Sequence, residues 1–304
     1  MNLDNVRCCK ARSSKSVTPC VSRLARYLLL LLAMLGLACT AKLGQNALLA
    51  HRSALLPLVS DRVSRRNVEL AVAPSVTIRG WYFSTPGSRR TVLFFHGNGL
   101  GIASSFWALY WFAEEFDADV LAVDARGFGF SDGVASIDEI VDDATRIYDY
   151  AAQELGFRDR PPIIIGQSMG AASAIRVAAN REVAALVLLS PLGSYEDVVA
   201  AANASTPWYV HVDADETLRH LRTSPLRELP NARSPTLIAH GTQDRLATAS
   251  VIRRVHDASG ASLRKVCEVP GGHEDVHATN PRVRSCIDEF KAALASAVVR
   301  DDAR

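Results

Sequence analysis

Residues 163–172 read Ile-Ile-Ile-Gly-Gln-Ser-Met-Gly-Ala-Ala: an apolar run that stops at Gly166, presents Ser168, and resumes as small residues after Gly170. A buried strand that turns tightly into a small-residue helix holds a serine exposed, strained and clear of the sheet. Gly166 and Gly170 suit such a turn, because strand and helix approach too closely there for a side chain. The start of the following helix also points backbone N–H groups at the place where negative charge would develop. The chemistry this implies is nucleophilic attack on a carbonyl carbon.

A serine hydroxyl is a poor nucleophile without a base, and the base needs an acid to orient it. In a strand–turn–helix site of this kind the acid and then the histidine follow the serine along the chain. Residues 236–244, Thr-Leu-Ile-Ala-His-Gly-Thr-Gln-Asp, supply an apolar strand, a glycine-containing turn, and Asp244 just past it. Asp213 and Asp215 are alternatives inside an irregular stretch, and Asp257 is an alternative on a helix surface. Residues 266–273, Val-Cys-Glu-Val-Pro-Gly-Gly-His, place His273 after a strand and a glycine pair. His277 competes from the entrance of the next helix, and His240 reads as structural. Phe94-Phe95-His96-Gly97-Asn98-Gly99 follows an earlier strand. The backbone N–H groups of Asn98 and Met169 are the candidate oxyanion donors, with His96 bracing the loop.

These residues need a scaffold that brings strand ends together. Strand-like runs occur at residues 67–73, 76–83, 91–95, 119–124, 162–166, 185–190, 236–239 and 265–269. Most are continuously apolar, as strands buried on both faces are. Pro74-Ser75 turns the first pair into an antiparallel hairpin. Helical segments fall between the strands at 104–116, 136–155, 169–180, 251–258 and 281–299, with Ser136 and Glu139 spaced as a capping box. Alternating strands and helices predict a mostly parallel eight-stranded sheet with helices on both faces. Residues 192–233 break the rhythm with Pro207-Trp208-Tyr209, Pro225 and Pro230, and are expected to form a small cap over a pocket. The aromatic pair Trp208 and Tyr209 would favour an uncharged or lipophilic acyl group.

The four segments occur in the order, and at the spacings, of the α/β-hydrolase superfamily, which the sequence resembles from about residue 67 to 299. Within it, the chain is similar to small, lid-poor serine hydrolases with a His-Gly-Asn oxyanion loop. A further match is Asp124-Ala125-Arg126-Gly127-Phe128-Gly129-Phe130-Ser131-Asp132-Gly133. In that group the segment reads Asp-x-Arg-Gly-x-Gly-x-Ser-x-Gly and shapes the loop beside the active site. Ala125 stands where an aromatic residue is common. The resemblance implies an esterase-type serine hydrolase acting through Ser168, Asp244 and His273 on a small or lipid-like acyl substrate, without cofactor or metal. Thioester, amide and N-terminal peptide cleavage are alternatives on the same triad, and a non-catalytic binding module is an alternative of another class.

The 304 residues carry a net charge of +2, unevenly placed. Residues 1–26 hold Arg7, Lys10, Arg12, Lys15, Arg23 and Arg26 against Asp4. Without these, 34 basic and 32 acidic residues become 28 and 31, and no basic footprint for nucleic acid remains. The apolar run 28–38 follows the basic stretch as in a secretory signal, and is short of the roughly 20 residues a membrane span needs. Cys39 follows Gly36-Leu37-Ala38, similar to a bacterial lipoprotein signal except for Gly36, where leucine is usual. Residues 1–45 are therefore read as a signal, lipoprotein or anchor segment, and 46–304 as the hydrolase domain. Its expected location is exported or membrane-associated. Cys267 and Cys286 are either a disulfide or two buried thiols. Asn203-Ala204-Ser205 matches a glycosylation acceptor and is given no role.

Overall fold

The computed structural model describes residues 39–43, 62–99, 101–207 and 209–301. The apolar run 28–38 lies outside them. Among the described residues no helix is long and apolar enough to cross a membrane.

Runs of Val, Ile, Leu and Phe with no polar interruption form the central strands. β4 (Arg90–Phe95) is buried from Thr91 onward, and β5 (Ala118–Val123), β7 (Ala185–Leu189) and β9 (Thr236–Gly241) are buried at every residue. β6 (Ile163–Gln167) lies among them. The outer strands β2 (Ser64–Ala73) and β10 (Arg264–Val269) alternate buried and exposed residues over much of their length. Their period-2 pattern marks one solvated face.

With β3 (Val76–Ser84), these strands form one eight-stranded sheet in the order β10-β9-β7-β6-β4-β5-β3-β2. The six strands from β10 to β5 pair in parallel, whereas β3 is antiparallel to both β2 and β5. The expected eight strands and the antiparallel first pair are present. Only β3 is reversed, so β2 runs with the rest.

The helices divide between the two faces. On one, Phe106, Leu109 and Phe112 of α1 (Phe106–Glu114) pack with Val283, Ile287 and Phe290 of α8 (Pro281–Asp301). On the other, α2 (Ile137–Glu154), α3 (Gly170–Asn180) and α7 (Ala249–Ala258) contribute Ile147, Ala151, Ala171, Ile175, Val251 and Ile252. Each fully buried Phe or Ile stabilises the fold by about 2–3 kcal/mol relative to exposure. α2 starts as expected, but the Ser136 hydroxyl makes no cap bond. Glu139 turns instead toward Arg126, at 3.4 Å. Arg126 already forms a bidentate pair with the buried Asp143, and this pair sets where the nearby acid goes.

The stretch between β7 and β9 is more ordered than its prolines suggest. It holds α4 (Tyr195–Ser205), β8 (Val210–Ala214), α5 (Glu216–Arg219) and α6 (Pro225–Glu228). β8 pairs with β1 (Cys39–Leu43) in a separate two-stranded sheet. The Asn203 side chain ties α4 to β8, accepting from the Val212 N–H and donating to its carbonyl, both at 2.7 Å. Its amide is thus engaged within the fold.

Candidate active site

Ser168 sits at the turn from β6 to α3 with φ +49°, a left-handed conformation rare for a residue with a side chain. Its N–H donates to the Leu189 carbonyl at 2.8 Å, which holds the turn against β7. The glycines on either side are sterically required. A Cβ on Gly166 would stand 2.6 Å from both the Ala174 Cβ and the Gly170 carbonyl oxygen. One on Gly170 would stand 2.3 Å from the Phe95 carbonyl oxygen and 2.5 Å from that of His96.

β9 delivers Asp244 past its carboxyl end. One Asp244 oxygen accepts the N–H groups of Leu246 and Ala247 at 2.8 and 2.9 Å; the other contacts the His273 Nδ1 at 2.8 Å. Burial alone would raise this carboxyl. The hydrogen bond and charge of His273 and the two backbone donors outweigh it, holding the group below the usual carboxylate range. β10 delivers His273 after Gly271, whose φ is +121°. The two acid and base loops touch: a Cβ on Gly241 would stand 2.4 Å from the Gly272 carbonyl oxygen. The His273 Nε2 lies 2.8 Å from the Ser168 Oγ, so serine, histidine and aspartate form one continuous hydrogen-bonded chain.

The other sequence candidates are engaged elsewhere. Asp213 pairs with Arg219, Asp215 caps α5, and Asp257 is exposed beside His256. The His277 Nδ1 contacts the Thr279 hydroxyl at 2.6 Å. His240 is buried, its Nδ1 3.2 Å from the Gly241 carbonyl.

Asn98 and Met169 border the same cleft as Ser168, Met169 at the start of α3. His96 braces the Asn98 loop from below. Its Nδ1 donates to the Gly97 carbonyl at 2.6 Å and its Nε2 accepts the Ala125 N–H at 2.9 Å. Complete burial pushes this imidazole below its ordinary value, against the opposing charge of Asp124 and the Gly97 bond, so the ring is neutral. Asp124 in turn takes the N–H groups of Ile102 and Phe130. Gly127 and Gly129, at φ +73° and +49°, let the loop wrap around it.

Two cavities adjoin here, and Ser168 and His273 line the first of them. One, of about 250 Å³, is walled by Ile137, Met169, Leu192, Tyr195, Val198 and Leu246. The second, of about 400 Å³, is bordered by Ser104, Ser105, Trp107, His277 and Thr279. Gly97, Asn98, Gln167 and Glu274 border both. The insertion therefore does reach the site, but through Leu192 and through Tyr195 and Val198 of α4. Trp208 lies outside the described residues. Tyr209 is 57% exposed and lines neither cavity, so the expectation that this pair shapes the acyl site is corrected for Tyr209. Besides Met169 at the elbow and Leu246 after β9, the apolar walls come from the α2 start, the loop after β7 and α4, segments whose convergence no local pattern signals. Among the described residues no cluster of three or more His, Cys, Asp or Glu side chains is placed to hold a metal ion.

The strand order, the elbow after the fifth strand of the main sheet, and the acid and histidine after its seventh and eighth are the layout of one fold. Solved structures share it. The chain superposes on an esterase of Pyrococcus furiosus, Pf2001, with a TM-score of 0.64 at 19% identity, covering 79% of this chain and 97% of that one. A cold-adapted esterase from an Arctic intertidal metagenomic library gives a TM-score of 0.54 at 20% identity, over 76% and 94% of the two chains. The chain has the α/β-hydrolase fold. Residues 86–212 of the chain match the family model described as serine aminopeptidase, S33, a span that includes Asn98, Ser168 and Met169 and ends before Asp244. It is 30% identical over 212 residues to the α/β hydrolase domain-containing protein aho-3 of Caenorhabditis elegans, covering 69% of this chain and 60% of that one. An uncharacterised protein of Mycobacterium tuberculosis is 29% identical over 240 residues, 77% and 80% of the two chains. The chain thus spans about 60% of the length of aho-3, and of the Xenopus tropicalis α/β hydrolase domain-containing protein 17C it covers 58%.

Proposed function

We propose that this α/β-hydrolase is a serine hydrolase that cleaves carboxylic esters through a covalent acyl-enzyme. The observation that carries the reading is the chain from Ser168 Oγ to His273 Nε2 to His273 Nδ1 to Asp244, with both contacts at 2.8 Å. His273 takes the Ser168 proton as the oxygen attacks the carbonyl carbon, and returns it to the leaving alcohol. Asp244 fixes the tautomer with Nδ1 protonated and stabilises the imidazolium. The Asn98 and Met169 N–H groups receive the oxyanion, each worth about 3 kcal/mol of barrier in comparable sites. Water, activated by the same histidine, then releases the acid. The apolar cavity of about 250 Å³ favours an uncharged acyl group of modest length.

Ser168→Ala should abolish hydrolysis of p-nitrophenyl hexanoate and labelling by a fluorophosphonate, with the fold retained by circular dichroism. Full turnover in that variant would refute the assignment. The match to a serine aminopeptidase family supports a second reading, amide cleavage on the same three residues. Aminoacyl p-nitroanilides turned over faster than esters of the same acyl group would favour it.

We extend the proposal to location. The basic and then apolar N-terminal segment exports the domain or holds it at a membrane, with Cys39 as the candidate lipid-bearing residue. The Cys267–Cys286 disulfide supports an oxidising compartment. The mass of the mature N-terminus tests this: processing before Cys39 or a diacylglyceryl adduct on it is expected for a lipoprotein, and a retained basic segment in the membrane fraction for an anchor. An unprocessed, unmodified chain in the cytosol contradicts both.

A further inference from the structure

The cavity lined by Ser168 and the one that adjoins it through Gly97, Asn98, Gln167 and Glu274 differ in chemistry. The smaller is walled by aliphatic and aromatic side chains. The larger presents Ser104, Ser105, His277 and Thr279, together with Trp107, which is 59% exposed. Glu274, the residue after His273, borders both. Its carboxylate is exposed and has no ion-pair partner among the described residues. Among the described residues lining either cavity, none is Lys or Arg. An ester bound across Ser168 puts its acyl chain on one side of the scissile bond and its alcohol on the other. The apolar walls suit the first, which leaves the polar cavity for the second.

We propose that the polar cavity takes a cationic, ammonium-bearing leaving group, with Glu274 as its specificity-determining residue and the Trp107 ring as a second partner. The inference rests on the serine-hydrolase reading. A carboxylate with no internal counter-ion attracts a cation and repels an anion, and an exposed indole face receives an ammonium through its ring quadrupole. The reaction is ester plus water giving acid plus amino alcohol: His273 delivers the proton to the departing oxygen, and the ammonium keeps its charge throughout.

The test compares three hexanoate esters of matched size: choline, the neutral isostere 3,3-dimethylbutanol, and the anionic 2-hydroxyethanesulfonate. Exposed ion pairing and a surface cation–π contact together predict a choline-to-neutral ratio in kcat/KM of about fivefold or more, with the anionic ester slowest. Added salt should shrink the ratio. Glu274→Gln should bring it close to about one, and Glu274→Lys should invert it, while fluorophosphonate labelling of Ser168 persists. A wild-type ratio of one or less, or a ratio unchanged in Glu274→Gln, overturns the proposal and leaves the hydrolase reading standing. So does a Glu274-dependent preference for a cation on the acyl side, seen with aminoacyl substrates. Absence of both ester turnover and Ser168 labelling in the wild type overturns the two together.

Discussion

Ser168, Asp244 and His273 were legible because each follows an apolar strand and a glycine-bearing turn, so composition alone places it at a strand's carboxyl end. His96 was legible as a brace for a related reason: it adjoins the loop glycine and has no acid beside it in sequence. Its burial has a consequence for stability. The folded protein holds the imidazole neutral, with its proton affinity below the ordinary value of 6.5, whereas the unfolded chain takes a proton near that value. Stability is therefore fully present above about pH 6.5 and is lost as pH falls from there toward the folded value, because the unfolded state binds more protons in that window. Urea midpoints measured between about pH 7.5 and about pH 5 should fall with pH, and His96→Gln, which can still accept the Ala125 N–H, should show a shallower fall. Equal slopes in the two proteins would contradict this. Residue type said less about the pocket. An aromatic residue in a loop carries no information about which way it faces: Tyr209 points to solvent, and Tyr195 on a helix forms the wall.

The decisive contacts among elements are backbone contacts. Helix α3 comes so close to the end of β4 that only glycine fits at position 170. Gly170→Ala should destabilise the fold by roughly 2–3 kcal/mol, as overpacking in a rigid site does. It should also slow fluorophosphonate labelling of Ser168 by more than the folded fraction explains, because the displaced helix carries Met169. A melting temperature and a labelling rate check the two parts, and an unchanged pair of values would contradict the packing argument. Long apolar strands and periodic helices were found from sequence within a few residues. β8 was not, because Val210, His211 and Val212 become a strand only through pairing with a distant segment and through the Asn203 side chain. Ser136 shows the converse. The local pattern for a capping box is present, yet Arg126 draws Glu139 away.

Across the whole molecule, eight strands and two helical layers follow from the alternation of apolar runs, whereas the reversal of β3 alone depends on partners that no local run names. Cysteine pairing was likewise open from sequence. Cys267 on β10 and Cys286 on α8 form a disulfide across a separation of 19 residues. That loop contains His273 and Glu274. Closing a loop of this length restricts the unfolded chain and should stabilise the protein by about 3 kcal/mol. Cys267→Ser/Cys286→Ser, or reduction of the wild type, should lower the melting temperature accordingly, and an unchanged melt would show that the cross-link constrains nothing.

The central claim is covalent catalysis at Ser168, and the most direct measurement is the site of the adduct. After reaction with a fluorophosphonate and proteolysis, mass spectrometry should find the phosphonyl group on the peptide containing Gly166-Gln167-Ser168-Met169-Gly170. No other peptide should carry it, and Ser168→Ala and His273→Ala should give none. Ester turnover at the wild-type rate with Ser168 unmodified, or an adduct on a different residue, would contradict the account.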